Sequence, residues 1–392
     1  MSVKERFLNY IRFDTQSDET THTTPSTAKQ KKLGAYLADE CRAIGCDEVE
    51  MDPCGIVYAK INGDETKPAI GFLAHMDTAT EISGADVQPQ IIEQYDGRII
   101  HLNETETLQI EGHIGETLIT TDGNTLLGGD DKAGIAVIME AASRLIDEQS
   151  PHGPIFLAFT VDEEIGEGTD HFDLKKFPAA YAYTVDGDRI DAVEYENFNA
   201  AQAVITIKGK SIHPGDAKGI MVNAGLLAAE FAGKLPADET PATTEGFEGF
   251  YHLLKIEGTC EQAQLVYIIR DHDTERFDER KKTMTSIVQQ MNEKYDGRLT
   301  LEMHDQYHNM VRFMNGDLTS VERAKKAIQA EGLQPVSPPV RGGTDGAMLT
   351  EKGLICPNLG TGSYNHHGRY EYASVDEMEK LVRIVLRIMK EV

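Results

Sequence analysis

Short apolar runs that lead into histidine or acidic residues constrain the fold of this chain more than any other feature. Residues 155–160 form a run of the kind that becomes a fully buried strand, and three consecutive acids follow at 162–164. Residues 69–74 likewise lead into His75 and Asp77. An isolated acidic triplet is most often a solvated loop. Charged side chains at the ends of buried strands are otherwise paired or bound to metal.

The strand-like runs alternate with segments of helical periodicity. Runs at 55–61, 69–74, 155–160 and 181–185 are interrupted by a helical pattern at 132–146. The first helix of the chain is expected after Ser26, with Leu33, Leu37, Cys41 and Ile44 on one face and Gly45 as its stop. This alternation predicts an α/β layer structure with buried strands.

A second pattern occupies the middle of the chain. A strand at 202–208, a helix at 222–235, strands at 251–256 and 265–270, a helix at 274–295 and a strand at 298–303 follow in order. This β-α-β-β-α-β order is that of the ferredoxin-like unit. Because 392 residues exceed one ordinary core, we predict an inserted domain at 200–308 within a domain made of 1–199 and 309–392.

Composition excludes several classes of protein. The 38 basic and 65 acidic residues give a formal charge of −27, which disfavours nucleic acid and anionic membranes as partners. Five cysteines without C-x-x-C spacing indicate neither a disulfide framework nor a zinc finger. The N-terminus is too charged for a signal peptide, and no stretch has the length of a membrane span. We therefore expect a cytoplasmic protein.

Several predicted strand ends place a metal-ligating residue type beside glycine. The residues concerned are His75, Asp77, Asp130, Asp131, Glu163, Glu164, Asp186, His366 and His367. Each alone has an ordinary explanation, such as a core histidine, a helix cap, a turn or a surface loop. Together they are expected at one sheet edge, where ligands bind in open α/β sheets. Mixed imidazole and carboxylate groups suit zinc, and the excess of carboxylates suits two ions.

This set resembles the dizinc exopeptidase and deacylase family over essentially the full chain. Within the family the chain is similar to the tripeptide aminopeptidases, through T-L-I-T-T-D-G-N-T-L-L-G-G-D-D-K-A-G, E-N-F-N-A-A, G-F-E-G-F-Y-H, Y-I-I-R-D and R-G-G-T-D-G-A. The resemblance implies a zinc-exopeptidase-like catalytic domain of α/β class with an inserted ferredoxin-like lid domain. It also implies two zinc ions per chain, with cobalt or manganese as alternatives.

The resemblance assigns roles position by position. It implies that Asp130 bridges the ions, that His75 and Asp186 complete one site, and that Glu164 and His367 complete the other. It implies that Asp77 orients His75 and that Glu163 is the general base for a metal-bridging water. From the inserted domain it implies a lid histidine, His213, and an arginine that binds substrate, Arg270. The bond between Asp130 and Asp131 is often cis in this family.

One stretch differs from the sequence pattern that is usual in the tripeptide aminopeptidases. The usual pattern is a single histidine followed by Gly-Lys-His-Glu, whereas this chain reads H-H-G-R-Y-E from His366. The position that aligns with the ligand is His367, and the later histidine is replaced by Tyr370. The choice between His366 and His367 therefore stays open at the level of the sequence.

The expected activity is removal of the N-terminal residue from tripeptides. The nearest alternative is another enzyme of the same family, a dipeptidase or an N-acyl amino acid deacylase. A different class, a binding protein that keeps the fold without metal, would lack ligands, and none of the five aligned positions is lost. The expected partners are small peptides, and a homodimer is left open.

Overall fold

The computed structural model describes residues 1–390, which divide into two compact units. Unit 1 is formed by Met1–Tyr195, by Phe313–Pro338 and by the chain from Thr344 onward. Unit 2 is formed by Glu196–Arg312 and Pro339–Gly343. The domain limits expected at 199/200 and 308/309 stay a prediction. No pattern in the sequence indicates that residues 339–343 belong to unit 2.

The described helices and strands are as follows. The helices are α1 (Val3–Tyr10), α2 (Gln30–Ile44), α3 (Gly129–Glu148), α4 (Ala224–Ala232), α5 (Thr274–Lys294), α6 (Thr319–Ala330), α7 (Asp345–Glu351) and α8 (Val375–Lys390). The strands are β1 (Glu48–Met51), β2 (Val57–Ile61), β3 (Ile70–His75), β4 (Gln90–Ile92), β5 (Ile100–His101), β6 (Thr107–Leu108), β7 (Leu118–Thr120), β8 (Ile155–Thr160), β9 (Tyr181–Gly187), β10 (Val193–Glu194), β11 (Asn199–Lys208), β12 (Phe250–Gly258), β13 (Gln262–Asp271), β14 (Leu299–Tyr307), β15 (Asn358–Gly360), β16 (Ser363–Tyr364) and β17 (Tyr372–Ser374).

Unit 1 is built on a seven-stranded sheet in the order β1-β2-β8-β3-β9-β15-β10. Strands β8, β3, β9 and β15 are mutually parallel, and antiparallel strands complete both edges. Every residue of β3 and β8 is buried, as expected for apolar runs in a sheet with both faces covered. The predicted α/β fold is confirmed.

The helices of unit 1 follow the sequence signals only in part. Helix α2 ends at Gly45, whose φ of +102° is the left-handed conformation that glycine adopts without strain. Helix α3 packs on β3 and β9 and contacts α1 and α8. Helix α1 was not predicted, although Ser2 and Glu5 form a capping box at its start. Within residues 1–390, no helix is long and apolar enough to cross a membrane.

Unit 2 contains a four-stranded antiparallel sheet in the order β12-β13-β11-β14. Helices α4 and α5 pack on this sheet and complete the β-α-β-β-α-β order that the sequence predicts. The inner faces of sheet and helices form a core of their own, which includes Phe231, Tyr267 and Phe277. This pattern could be recognised because its strands alternate between buried and partly exposed residues, as β13 does throughout.

The segment 80–118, which had no clear periodicity, forms short strands around a small core. Strands β5 and β6 make a two-stranded hairpin, and β4 and β7 join β16 and β17 in a separate sheet. Tyr95, Ile100, Leu108 and Tyr372 are buried together in this small core. The strands are two or three residues long, too short for a period-two pattern to stand out.

Candidate metal centre

Three neighbouring parallel strands end at the same edge of the unit 1 sheet. Strand β3 lies between β8 and β9. His75 is the last residue of β3, and Asp186 is the next-to-last residue of β9. The chain leaving β8 forms a short 3-10 helix, Glu163–Ile165. Because the strands are parallel, these side chains meet at the carboxyl edge, as the sequence predicts.

Asp130 lies between the two histidines expected to hold metal. His75 Nε2 is 2.8 Å from Asp130 Oδ1 and 3.4 Å from Asp186 Oδ1. On the other side, His367 Nε2 is 3.3 Å from Asp130 Oδ2 and 3.0 Å from Glu164 Oε2. The two oxygens of one carboxylate thus face two separate groups of ligating atoms.

Two overlapping sets of side chains have the spacing of a cation site. One consists of His75, Asp130 and Glu164, and the other of His75, Asp131 and Asp186; within each set the ligating atoms lie within 4.8 Å of one another. The Oε1 atom of Glu164 is buried and has no hydrogen-bond partner among the described residues. An unsatisfied buried carboxylate oxygen is costly. The residues present therefore fit divalent cations.

His366 also lies near Asp130. Its Nδ1 is 3.4 Å from Asp130 Oδ2, while its Nε2 is 2.9 Å from the hydroxyl of Ser363. His367 contacts two of the expected ligands, whereas His366 contacts one and is held by Ser363. The geometry brings both rings to the cluster.

Burial and mutual repulsion shift the pKa values of this cluster. Burial raises the pKa of Glu163 well above its usual range, and the Asp186 carboxylate adds to the shift. Burial also raises the pKa of Glu164 to about 7. For His75 burial acts in the opposite sense, but the Asp186 charge and the hydrogen bond to Asp130 raise the pKa well above its ordinary value. A cation among these carboxylates would relieve the repulsion.

Asp77 connects the histidine with the tandem glutamates. Its Oδ1 lies 3.4 Å from His75 Nδ1 and accepts the backbone N–H of Glu163 at 3.1 Å. Its Oδ2 accepts the backbone N–H of Glu164 at 3.1 Å and the hydroxyl of Ser17 at 2.5 Å. Asp77 thus contacts His75 and holds the backbone that carries both glutamates. That its carboxylate orients the imidazole stays a prediction.

The third acid of the row has another environment. Asp162 is fully buried and accepts hydrogen bonds from the backbone and hydroxyl of Ser26 and from the amide of Gln30. It anchors the segment before α2 to the end of β8. The three acids are adjacent in the sequence, but only the second and third belong to the cluster.

Asp131 and Asp345 support the cluster through contacts that the sequence does not predict. Asp131, joined to Asp130 by a cis peptide bond, accepts the N–H groups of His75 and Gly134. Asp345 accepts the hydroxyl of Thr160 at 2.7 Å, and burial raises its pKa to about 7. Asp345 stands in the motif R-G-G-T-D-G-A, a signal that could have identified it. Asp131 follows Asp130 directly, but nothing in the sequence indicates which N–H groups it accepts.

His213 and Arg270 belong to unit 2. The His213 side chain is 79% exposed, and its Nδ1 accepts the N–H of Gly215 at 3.1 Å. Arg270 lies in β13, with its guanidinium 5.2 Å from the centre of the Tyr307 ring. Its Nη1 donates to the carbonyl of Ile269 and the side chain of Gln306.

The chain is similar to known peptidases over almost its whole length. Peptidase T of Clostridium perfringens (strain 13) is 51% identical over 398 residues, which cover 99% of this chain and 98% of the relative. Peptidase T of Bacillus subtilis (strain 168) is 49% identical over 401 residues, with 99% and 98% covered. Two family models match shorter stretches: a peptidase dimerisation domain at residues 195–296 and M42 glutamyl aminopeptidase at residues 117–229.

Solved structures share the fold. Aminopeptidase PepT from Bacillus cereus ATCC 10987 matches with a TM-score of 0.81 at 24% identity, covering 99% of this chain and 97% of the other. A tripeptidase from Staphylococcus aureus matches with a TM-score of 0.80 at 22% identity and the same coverage. A dinuclear metal-binding peptidase of the M20 family from Bacillus subtilis matches at 0.68 and 14% identity, with 99% and 98% covered.

Proposed function

The chain belongs to the peptidase T family of the M20 metallopeptidases and is therefore a peptidase that uses metal. We propose that it removes the N-terminal residue of tripeptides at a centre of two zinc ions. The observation that carries this proposal is the position of Asp130. One oxygen of its carboxylate faces His75 and the other faces His367. A carboxylate placed in this way is suited to bridge two cations.

The proposed ligands divide into two groups. In the proposal, His75 and Asp186 would hold one ion, Glu164 and His367 would hold the other, and Asp130 would serve as a ligand to both. Imidazole with carboxylate favours zinc, and cobalt or manganese compete for the same ligands. When bound, such ions lower the pKa of a water molecule and polarise the carbonyl group of the scissile peptide.

Glu163 is the proposed general base. Its carboxylate takes the proton of the attacking water and gives a proton to the nitrogen of the leaving amine. The contact between its backbone N–H and Asp77 supports this role, because it fixes the glutamate relative to His75. Burial supports it as well, since a carboxylate that is poorly solvated has a high affinity for a proton.

Two residues of unit 2 complete the proposed reaction. His213 accepts the N–H of Gly215 through Nδ1, so the neutral ring carries its proton on Nε2. We assign this Nε2–H to the oxygen of the scissile carbonyl, where negative charge develops. Arg270 is proposed to bind the terminal carboxylate of the tripeptide, because its planar group can form two parallel hydrogen bonds.

A homodimer formed through unit 2 is part of the proposal. The match to a peptidase dimerisation domain covers residues 195–296. Strand β12 lies at the edge of its sheet and exposes Leu254 and Ile256, each by about half of its surface. Exposed apolar side chains on an edge strand are typical of pairing between chains.

The proposed location stays the cytoplasm, which suits five cysteines that are all free.

Metal analysis combined with a substrate panel tests this function. The purified protein is expected to bind two zinc ions per chain and to release one N-terminal residue from free tripeptides. The same tripeptides with an acetylated N-terminus are the matched control and should resist cleavage. Preferred cleavage of dipeptides, or of N-acetyl or N-succinyl amino acids, would instead identify another activity of the family. A protein that binds no ion would contradict the proposal altogether.

A further inference from the structure

A buried carboxylate lies directly behind the loop that carries Asp130. The Glu371 residue is 1% exposed. Its Oε2 accepts the backbone N–H groups of Leu127 and Gly128 at 2.7 and 2.8 Å, and its Oε1 accepts that of Asp130 at 3.0 Å. One side chain thus binds three of four consecutive backbone positions, although it lies more than 240 residues away in the chain.

The loop is shaped to fit this carboxylate. Gly128 has a φ of +82°, a left-handed conformation that side chains rarely adopt. At Gly129 an added Cβ would lie 3.0 Å from Glu371 Oε1 and 2.7 Å from the Cβ of Ser363. The two glycines therefore let the backbone close around the carboxylate and against Ser363. The conformation of 127–130 and the position of Glu371 depend on each other.

The segment that supplies Glu371 also supplies the histidines. His366 and His367 lie five and four residues before it, and His366 Nε2 contacts the Ser363 hydroxyl at 2.9 Å. His367 Nε2 in turn lies 3.3 Å from Asp130 Oδ2. Residues 363–371 therefore contact Asp130 from two sides, through an imidazole at its carboxylate and through Glu371 at its backbone.

We propose that Glu371 is a positioning residue that sets the affinity of the centre for metal. By binding the N–H groups of Leu127, Gly128 and Asp130 it orients Asp130, so that the two carboxylate oxygens face His75 and His367 at once. A hydrogen bond from an N–H group contributes more when the acceptor is charged than when it is neutral. Three such bonds offset part of the cost of burying the Glu371 carboxylate. This inference rests on the proposed metal centre.

Substitution of Glu371 by glutamine tests this role. Glutamine keeps the volume but offers one oxygen, so at least one N–H of the loop faces an amide group that cannot accept it. We expect the dissociation constant for zinc alone, measured by competition with a chromophoric chelator, to rise by roughly 10- to 100-fold, the usual cost of losing a group that orients a ligand. Aspartate at this position is one methylene too short and should not restore the affinity.

The matched control is Glu140→Gln. Glu140 is also a buried glutamate of unit 1, and it binds Arg6 and Arg144 instead of the loop. Its replacement should lower the melting temperature while zinc affinity stays at the wild-type value. If Glu371→Gln also loses stability but binds zinc as tightly as wild type, the side chain is only structural and the inference is wrong.

A second variant guards against misfolding. Gly129→Ala leaves Glu371 in place and presses a methyl group against it and against Ser363. It should weaken zinc binding in the same direction, whether or not Glu371→Gln folds, and unchanged affinity would contradict the inference. Failure of the proposed function looks different, because the wild-type protein itself would then bind no zinc.

Discussion

The carboxyl edge of unit 1 and the candidate substrate residues of unit 2 differ in how firmly the fold holds them. The His75 side chain is 2% exposed and lies within 3.4 Å of carboxylate oxygens of Asp77, Asp130 and Asp186. The His213 side chain is 79% exposed, and its ring accepts a hydrogen bond from a glycine two residues away. Arg270 is half-buried and donates to the backbone of its own neighbour.

This difference separates groups that are preorganised from groups that gain partners with the substrate. Side chains held by several bonds in a buried cluster do not have to be ordered when the reaction begins. An exposed histidine or arginine side chain loses conformational freedom when the substrate binds. This entropy loss offsets part of the binding free energy that its contacts with the substrate contribute. We therefore expect larger losses from substitutions at the edge of unit 1 than from substitutions in unit 2.

The largest effect is expected for the tandem glutamates. Glu163→Gln should lower kcat by at least ~10²-fold, the usual scale of general acid–base catalysis, with metal content unchanged. Glu164→Gln should instead lose one of two ions, because it replaces a proposed ligand. Metal analysis and steady-state kinetics on one tripeptide measure both variants.

The two glutamates control for each other, since they are adjacent and both lie against Asp77. Equal loss of metal in both variants would show that the division of roles between them is wrong. Full activity of Glu163→Gln would remove the general base from the proposed reaction.

The next effect concerns the paired histidines. His367 contacts Asp130 and Glu164, whereas His366 contacts Asp130 and is bonded to Ser363. His367→Ala should therefore lose one ion per chain. His366→Ala should keep both ions and bind them more weakly, by no more than the ~10- to 100-fold typical of an orienting partner. Loss of an ion only in the His366 variant would exchange the two assignments.

The sequence predicted the parts of unit 1 that depend on local patterns. Strands β3, β8 and β9 are apolar runs in the sequence. Because they are parallel, their carboxyl ends lie at the same sheet edge regardless of the conformation of the connecting loops. The residues His75, Glu163 and Asp186 could therefore be expected at one edge. Helix α1 could have been predicted as well, because Ser2 and Glu5 have the spacing of a capping box.

The supporting contacts of the cluster could not be predicted in the same way. Glu371 binds backbone N–H groups of residues 127–130, and Ser17 binds the carboxylate of Asp77, 60 positions away. Nearly every residue carries the same backbone N–H group, so the sequence does not indicate which of them a side chain will bind. A contact between distant segments forms only after those segments pack together. Sequence patterns therefore indicate which residues carry the chemistry more readily than which residues hold them.

The smallest effect is expected in unit 2, at Arg270. A free tripeptide carries a carboxylate at a fixed distance from its first peptide bond, so an arginine that binds this group would measure the length of the substrate. One hydrogen bond to a charged group contributes about 1.5–3 kcal/mol, so Arg270→Ala should lower kcat/KM by roughly ten- to 150-fold. Lysine at this position should recover only part of the loss, since it cannot bind a carboxylate through two parallel bonds.

A tripeptide with an amidated C-terminus makes this prediction specific. It removes the carboxylate from the substrate as Arg270→Ala removes the guanidinium from the protein, so each change alone should cost about the same and both together little more. Arg298→Ala is the matched control, because Arg298 is another arginine of unit 2 and donates to the carbonyls of Lys208 and Gly209. Its loss should leave the preference for the free carboxylate intact. Losses that multiply when Arg270→Ala meets the amidated substrate would mean that the two groups never touch, and the residue that measures length would have to be sought elsewhere.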